Sequence, residues 1–294
     1  SELVAACAET GTDYLDLNGE PAWAREMIDA HEATARQSGA RIVLSAGFDS
    51  IPFDLGVWFL QQEAIKRYGL PAPRVKGRVR RMKGGASGGT MASMKATFKA
   101  SFKNPKLLGL LNNPFALTPG FEGPEQPAGI APEFDSEAGV WAAPFVMATV
   151  NTKNVHRTNF LLGHPYGKDF VYDEMMLTTL GQAARALVDA AVKASPFAGK
   201  GLKPGDGPSK EEREAGSYEI GFLGLYPDGR RITVCVKGDR DPGYGSTSKM
   251  IAEAALLMPE VSAGGGIYTP GSLMAGPLVD RLQTYAGLSF LVED

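Results

Sequence analysis

Apolar positions in the first seventy residues fall in short runs separated by polar turns. Arg41 to Ala46 (RIVLSA) alternates little and is rich in Ile, Val and Leu, the pattern of a strand covered by helices on both faces. Gly47 lets the chain leave the sheet without a Cβ clash, Asp49 and Ser50 are N-cap types, and Pro52 fits the first turn of a helix spanning Phe53 to Tyr68. One unit earlier, Asp13 to Leu17 (DYLDL) reads as a short strand. Asn18, Gly19, Glu20 and Pro21 follow it, then a helix to about Ser38. With a helix from Glu2 to Glu9, residues 1 to 70 predict helix, strand, helix, strand, helix, an α/β series. Ligands of open parallel sheets sit outside the carboxyl ends of the strands, so Phe48, Asp49 and Ser50 are placed to project into that crevice. The same residues also make a well-capped strand-to-helix loop. Asp16, in an internal strand, needs a partner or a proton. It serves with Glu20 as a helix-capping group or as the wall of a pocket.

From Arg74 the pattern changes. Arg74 to Met82 reads as a strand, Lys83 to Gly88 as a loop, and Gly89 to about Phe102 as a helix. The basic run KGRVRRMK, Lys76 to Lys83, puts Arg78, Arg80 and Lys76 on one strand face. That face is either a phosphate or carboxylate contact or, more often for such a run, the solvated side of an edge strand. Asn104 to Pro144 is rich in Pro and Gly and too long for an ordinary connection, so it reads as a lid or wrapped arm. Its Leu107, Leu108, Leu110 and Leu111 cover a lipid-like substrate or a partner subunit, or pack onto their own domain, the reading favoured here.

Phe145 to Leu162 reads as a helix carrying His156 and Arg157. A lone histidine is more often structural than catalytic, and the chain has only His31, His156 and His164. Phe170 to Leu177 predicts a strand, Thr178 to Lys193 an amphipathic helix, and Pro196 to Gly216 a charged loop. Tyr218 to Tyr226 and Arg231 to Lys237, joined by Pro227, Asp228 and Gly229, form a hairpin. These strands are expected to build a mixed or antiparallel sheet. Gly243 to Gly245 introduce a helix, Ser246 to Leu257, whose start is ringed by Tyr244, Ser246, Thr247 and Ser248. It is either a capped helix or an anion site. Ile267 to Pro270, Ser272 to Leu282 and a final strand, Ser289 to Val292, complete the chain.

Composition narrows the function classes. With 294 residues, 44% of them hydrophobic, the chain can bury a sizeable core in one large or two ordinary domains. Thirty basic against 33 acidic residues, a net charge of −3, make no electrostatic case for nucleic acid. Cys7 and Cys235 lie far apart in apolar contexts, which points to buried thiols in a reducing, cytoplasmic setting and gives no metal-ligand spacing. No apolar run has the length of a membrane span.

The pair GTDYLDLNGE and SAGFDSIPFDLG resembles the signature of the saccharopine dehydrogenase-like oxidoreductases, including the trans-acting enoyl reductase branch. The resemblance continues through KGGASGGTMAS (Lys83 to Ser93), APFVMATVNTKNVHRTN (Ala143 to Asn159) and DPGYGSTSKM (Asp241 to Met250), and so covers nearly the whole chain. It implies an incomplete Rossmann-like parallel sheet, residues 1–70 and 241–294, with an inserted α+β substrate or dimerisation domain, residues 71–240. It also implies hydride transfer to an imine or enoyl substrate from the reduced form of NADP or NAD when the protein is complete, and allows a homodimer. Members resemble one another in opening with a strand and a glycine-rich turn that holds the cofactor pyrophosphate. This chain opens without one, and neither Gly84 to Gly89 nor Gly264 to Gly266 has the required spacing. A truncated chain that binds no cofactor tightly is therefore expected.

By the same resemblance Gly47, Phe48, Asp49, Ser50 and Pro52 lie beside the dinucleotide. Ser87, Gly88, Thr90 and Tyr244 lie on the side of a small-molecule or acyl substrate. Tyr14, Ser50, Lys83, Ser87, His156 and Tyr244 are candidate proton donors, with Lys83 favoured as a partly buried lysine and His156 second. The competing reading is a noncatalytic interaction or dimerisation module without a dinucleotide site.

Overall fold

The computed structural model describes residues 2–84, 105–178 and 207–293. The chain opens with α1 (Glu2–Thr10), β1 (Tyr14–Leu15), α2 (Pro21–Ser38), β2 (Arg41–Val43) and α3 (Ile51–Tyr68). Local chemistry sets these limits. Pro21 and Pro52 lie in the first turns of α2 and α3, where a missing N–H costs no intrahelical bond. Gly39 and Gly69 end the two helices at φ +88° and +77°, a left-handed conformation that lets their N–H groups bond back to the Ala35 and Ile65 carbonyls.

β1 and β2 are parallel, and β2 also pairs in parallel with β9 (Gly266–Tyr268), giving a three-stranded sheet of order β1-β2-β9. Val4, Ala8, Ala24, Met27 and Ile28 from α1 and α2 pack with Ile42 and Ile267 from this sheet.

The second sheet is larger. Its strands are β3 (Arg74–Lys83), β4 (Glu133–Asp135), β5 (Val140–Pro144), β6 (Val171–Leu177), β7 (Ser217–Leu225), β8 (Arg231–Gly238) and β10 (Leu288–Glu293). They lie in the order β10-β8-β7-β3-β6-β5-β4, mixed because β3 and β6 are parallel and the other neighbours antiparallel. The fold is thus the expected α/β architecture, a small parallel sheet beside a larger mixed one. The N-terminal half of α3, from Ile51 to Val57, is buried on all sides because it is sandwiched. Phe53 packs its ring against Phe145 and Phe222, and a Cβ on Gly56 would collide with the Phe222 ring. One core cluster runs from Val43, Ala46 and Phe48 through α3 to Tyr218, Ile220 and Phe222 of β7.

The remaining helices are α4 (Pro105–Asn112), α5 (Ala148–Leu161), α6 (Lys210–Glu214), α7 (Thr247–Leu257) and α8 (Pro270–Tyr285). None of the described helices is long and apolar enough to cross a membrane.

Several expectations change. The basic strand is not an edge, because β3 lies inside the larger sheet, and the carboxylate contact weighed for its face is met within the chain. There Lys76 and Arg78 pair with Asp135 at 2.9 and 2.6 Å, Arg78 with Asp173 at 2.8 Å, and Arg80 with Glu293 at 2.7 Å. β9 returns the chain to the parallel sheet, but the final strand, β10, adds to the larger one beside β8.

The Asn104–Pro144 segment contains α4, β4 and β5 and is held to its own chain. Lys153 donates to the Leu111 carbonyl at 2.8 Å, Arg25 to that of Ala116 at 2.9 Å and Arg157 to that of Leu117 at 2.6 Å. The helix expected from Phe145 begins at Ala148, after the strand β5. The helices expected at residues 89–102 and 178–193 fall on segments outside the described residues.

Candidate active site

The carboxyl ends of β1, β2 and β9 open towards α5 and the larger sheet. β2 ends at Val43, short of the expected Ala46, because Ser45 takes a left-handed backbone at φ +60°. Asp16 explains how that turn is held. Its Oδ1 accepts from the N–H groups of Asn18 (2.9 Å) and Ser45 (3.2 Å), and Oδ2 accepts from the Tyr14 hydroxyl at 3.2 Å. Burial raises the Asp16 carboxyl above its ordinary range, while those bonds pull the other way. Asp16 therefore locks the turn after β1 to the turn after β2 and caps no helix. Glu20, at the N-cap of α2, makes no side-chain cap bond either.

The Ser45–Ser50 turn places its residues unequally. Phe48 is buried, edge-on to Phe53 and Tyr218, and its N–H donates to Thr247 Oγ1 at 3.0 Å. Gly47 packs tightly: a Cβ there would approach Leu17 Cδ2 at 2.8 Å and Thr247 Cγ2 at 3.0 Å. Ser50 is fully buried and forms no cap bond. Its Oγ accepts from Asn154 Nδ2 at 2.7 Å. Pro52 is buried in the first turn of α3. Phe48, Ser50 and Pro52 thus belong to the core, and among the five expected crevice residues Asp49 is half-buried, with a Cβ built on Gly19 lying 3.9 Å from its Oδ2.

α5 brings the second half of the site. Asn151 and Asn154, one turn apart, face the turn and the inner side of the larger sheet. Asn151 Nδ2 donates to Glu174 Oε2 at 2.9 Å, and the Tyr172 hydroxyl donates to Glu174 Oε1 at 2.9 Å. Glu174 is buried among these groups without a cation, and burial pushes its carboxyl up to about 8. Burial likewise pushes Asp49 up to about 7. Asp49 Oδ1 and Asn151 Oδ1 are buried and lack a hydrogen-bond partner among the described residues. A little deeper, Asp54 accepts from the Gly271 N–H at 2.8 Å, beside the paired hydroxyls of Thr158 and Thr269. Burial pushes this carboxyl to about 7 as well. The arrangement can hold neutral carboxyl groups near neutral pH at the carboxyl end of the parallel sheet, a form able to donate a proton.

Of the two residues favoured for catalysis, Lys83 is exposed at the end of β3 rather than partly buried. His156 is buried in an aromatic nest, 4.6 Å from the Phe115 ring and 5.8 Å from that of Phe170. Burial, helped by the Lys153 charge, lowers it to about 3, so it stays neutral near pH 7.

The start of α7 is not an anion site. Asp241 Oδ2 accepts from the Tyr244 N–H at 3.0 Å and Oδ1 from the Gly245 N–H at 2.8 Å, so a carboxylate already occupies the N–H groups of that π-helical turn, Pro242–Ser246. Tyr244 is half-buried there, and a Cβ on Gly207 would collide with its ring. Ser87, Gly88 and Thr90 lie outside the described residues. Among the described residues, one group of acids and thiols has metal-like spacing, Glu219, Cys235 and Glu293. It lies on the other side of the larger sheet, where Arg80 already bonds both glutamates.

Asp54, Asn151, Asn154 and Glu174 escaped sequence reasoning. The signals were present in IPFDLG, an acid inside an otherwise apolar helix, in NTKNVHRTN, a polar helix flanked by core segments, and in the alternation that puts Tyr172 and Glu174 on one strand face.

No family model matches the chain. Full-length comparison is informative. A protein of Mycobacterium tuberculosis, provisionally named a trans-acting enoyl reductase, is 37% identical over 317 aligned residues, covering 98% of this chain and 75% of the relative. The trans-acting enoyl reductases of Mycobacterium ulcerans and Mycobacterium leprae are each 33% identical over 313 residues, covering 95% of this chain and 74% of theirs. An α/β protein with buried acids at the carboxyl end of a parallel sheet is of the oxidoreductase class in this company. The chain belongs to the trans-acting enoyl reductase family.

Proposed function

We propose that this chain reduces the carbon–carbon double bond of an enoyl acyl substrate with hydride from NADP(H) or NAD(H), as a member of the wider saccharopine dehydrogenase-like group. The observation that carries the reading is its relation to trans-acting enoyl reductases across 98% of its length. The crevice supports it. Dinucleotides bind outside the carboxyl ends of parallel strands, where Asp49 and the Gly19 turn lie.

The N-terminus of α2 follows β1 and has no side-chain cap, so its backbone N–H groups are the ones that would meet an anionic group of such a cofactor. When bound, the cofactor supplies the hydride. The chain's own residues orient the substrate, exclude water and hold a proton.

The reading is tested by mixing the purified chain with reduced NADP or NAD and an α,β-unsaturated acyl thioester, and following loss of nicotinamide absorbance together with the mass of the product. A product heavier by two hydrogens, formed in step with cofactor oxidation, supports it. No cofactor oxidation with any enoyl chain length refutes it.

A further inference from the structure

The turn between β4 and β5 folds back over the outer face of the larger sheet, the face opposite Glu174. There Asp135 reaches Lys76 and Arg78 of β3, and Glu137 reaches Arg231 of β8 at 3.0 Å. Turn and sheet enclose a cavity of ≈ 170 Å³ whose charged wall is Lys76, Arg78, Arg80, Arg231, Asp135 and Glu137. Its solvent side lies at Arg231, whose side chain is 61% exposed.

Arg78 is the buried donor of this wall. It is 5% exposed, and three of its N–H groups have acceptors. Nε donates to Asp135 Oδ2 at 2.6 Å, and Nη1 donates to the Gly77 carbonyl and to Asp173 Oδ2, each at 2.8 Å. Nη2 is buried without a hydrogen-bond partner among the described residues, since Glu133 Oε1 at 3.8 Å is beyond hydrogen-bond reach. Two N–H donors at the cavity wall therefore have no protein acceptor.

Charge along the wall is unequal. Four cations stand against two acids, an excess of two positive charges. Asp135 uses both oxygens, because Oδ1 accepts from the Glu137 and Ala138 N–H groups at 3.0 and 3.1 Å while Oδ2 holds Arg78 and Lys76. The acids that balance the remaining cations lie outside the wall. Asp173 holds Arg74 and Nη1 of Arg78, and Glu219 and Glu293 hold Arg80, with Lys237 3.8 Å from Glu219. Arg80 lies close over β7 because Gly221 has no side chain, and a Cβ there would sit 2.4 Å from its Nε.

We propose that this cavity binds a phosphate group. Arg78 Nη2 is the buried donor, Lys76 and Arg80 flank it on the same strand face, and Arg231 closes the solvent side. A phosphate monoester carries about −1.5 to −2 charge near pH 7, which answers the excess along the wall, whereas a carboxylate would answer half of it. The volume equals roughly five or six water molecules' share of liquid, room for a tetrahedral oxyanion and little more. The organic part of an ester would therefore extend to solvent past Arg231. The site is on the opposite face of the sheet from Glu174 and stands independently of the proposed reduction.

The test titrates the full chain with inorganic phosphate at low ionic strength, reading heat and the phosphorus NMR line width. Wild type is expected to bind one phosphate saturably and more weakly as sodium chloride is raised, with no saturable signal from acetate at equal ionic strength. Arg231→Gln, at the exposed rim, should weaken binding by ~5-fold or more. Arg78→Lys keeps a cation for Asp135 and Asp173 but loses Nη2, and should weaken it by ~10-fold or more. Glycerol phosphate separates the sources. Competition with inorganic phosphate identifies a phosphate ester as a ligand, failure to compete identifies the free ion, and either result supports the phosphate site.

No saturable binding by wild type up to ~10 mM phosphate, equal binding of acetate, or affinities of both variants within twofold of wild type would overturn the assignment. Because the wild-type titration needs no variant and Arg231 is exposed, an Arg78→Lys chain that does not fold leaves the proposal open to refutation.

Discussion

The backbone N–H of Gly271 donates to Asp54 Oδ2 at 2.8 Å, tying the first turn of α8 to the first turn of α3. The fit leaves no space for a side chain, since a Cβ on Gly271 would lie 2.5 Å from that oxygen and 2.7 Å from Asp54 Cγ. Gly271→Ala must therefore push the two helices apart or break the bond. A loss of about 1–3 kcal/mol is expected, typical of overpacking a tight contact. Urea unfolding should show a lower midpoint at an unchanged slope. A midpoint equal to wild type would mean the helix start gives way freely.

Asp54 itself makes stability depend on pH. Its folded carboxyl is raised to about 7 by burial, whereas an unfolded aspartate titrates near 3.8. Between those values the folded chain binds more protons than the unfolded one. The contribution is therefore fully present below about pH 4, declines as pH rises and is lost above about pH 7. Asn at this position keeps an acceptor for the Gly271 N–H and carries no charge. Asp54→Asn should gain on wild type by about 2–4 kcal/mol from pH 4 to pH 8. Unfolding free energies of the two proteins measured across that range would run parallel if Asp54 were ionised throughout.

What the chain reveals before folding is its local chemistry. Pro52 and Gly69 mark the two ends of α3, and Pro227 to Gly229 mark the turn between β7 and β8, because each acts on its own backbone. The strand formed by Arg74 to Lys83 is equally legible, but its place in the sheet is not. The acids that neutralise Arg78 and Arg80 are Asp135, Asp173 and Glu293, 57, 95 and 213 residues away. A basic face reads as solvated until those partners arrive.

The same holds at the site. The turn at Asp49 is visible in the sequence because strand, turn and helix are contiguous. His156 looked reactive because the rings of Phe115 and Phe170 that enclose it come from separate segments. Glu174 was overlooked since only the register of β6 beside β3 turns it inward, over Gly77 and towards α5.

Lys153 gives a pH dependence of opposite sign. It is 3% exposed, bonds among the described residues only carbonyls of Leu111 and Thr149, and burial lowers its amine to about 8 from an ordinary 10.5. Between pH 8 and 10.5 the unfolded chain binds the extra proton, so stability from this group rises with pH over that window. Lys153→Met removes the titration. The wild-type minus variant difference should move in favour of wild type by roughly 3 kcal/mol from pH 8 to pH 10.5. A constant difference, read by denaturant unfolding at several pH values, would show that Lys153 keeps its ordinary basicity in the fold.

Arg157 is a buried cation that joins three separate parts of the structure. From the middle of α5 its Nη1 reaches the Leu117 carbonyl at 2.6 Å, and its Nη2 reaches the Ile267 carbonyl of β9 at 2.5 Å and Glu32 Oε2 of α2 at 3.2 Å. Burial lowers the guanidinium to about 10, against the pull of Glu32, so it stays charged at neutral pH. Arg157→Ala strands the Leu117 and Ile267 carbonyls, while Glu32 keeps Arg36 and the Ile267 N–H, so a loss of about 2–4 kcal/mol is expected. Arg157→Lys should recover little, because one ammonium cannot span three acceptors arranged for a planar fork. Hydrogen exchange separates a local from a global effect. Faster exchange confined to residues 113–118 and to β9 would place the loss at these contacts, whereas protection equal to wild type in both variants would mean that the arm is held by its apolar residues Phe115, Ala116 and Leu117 alone.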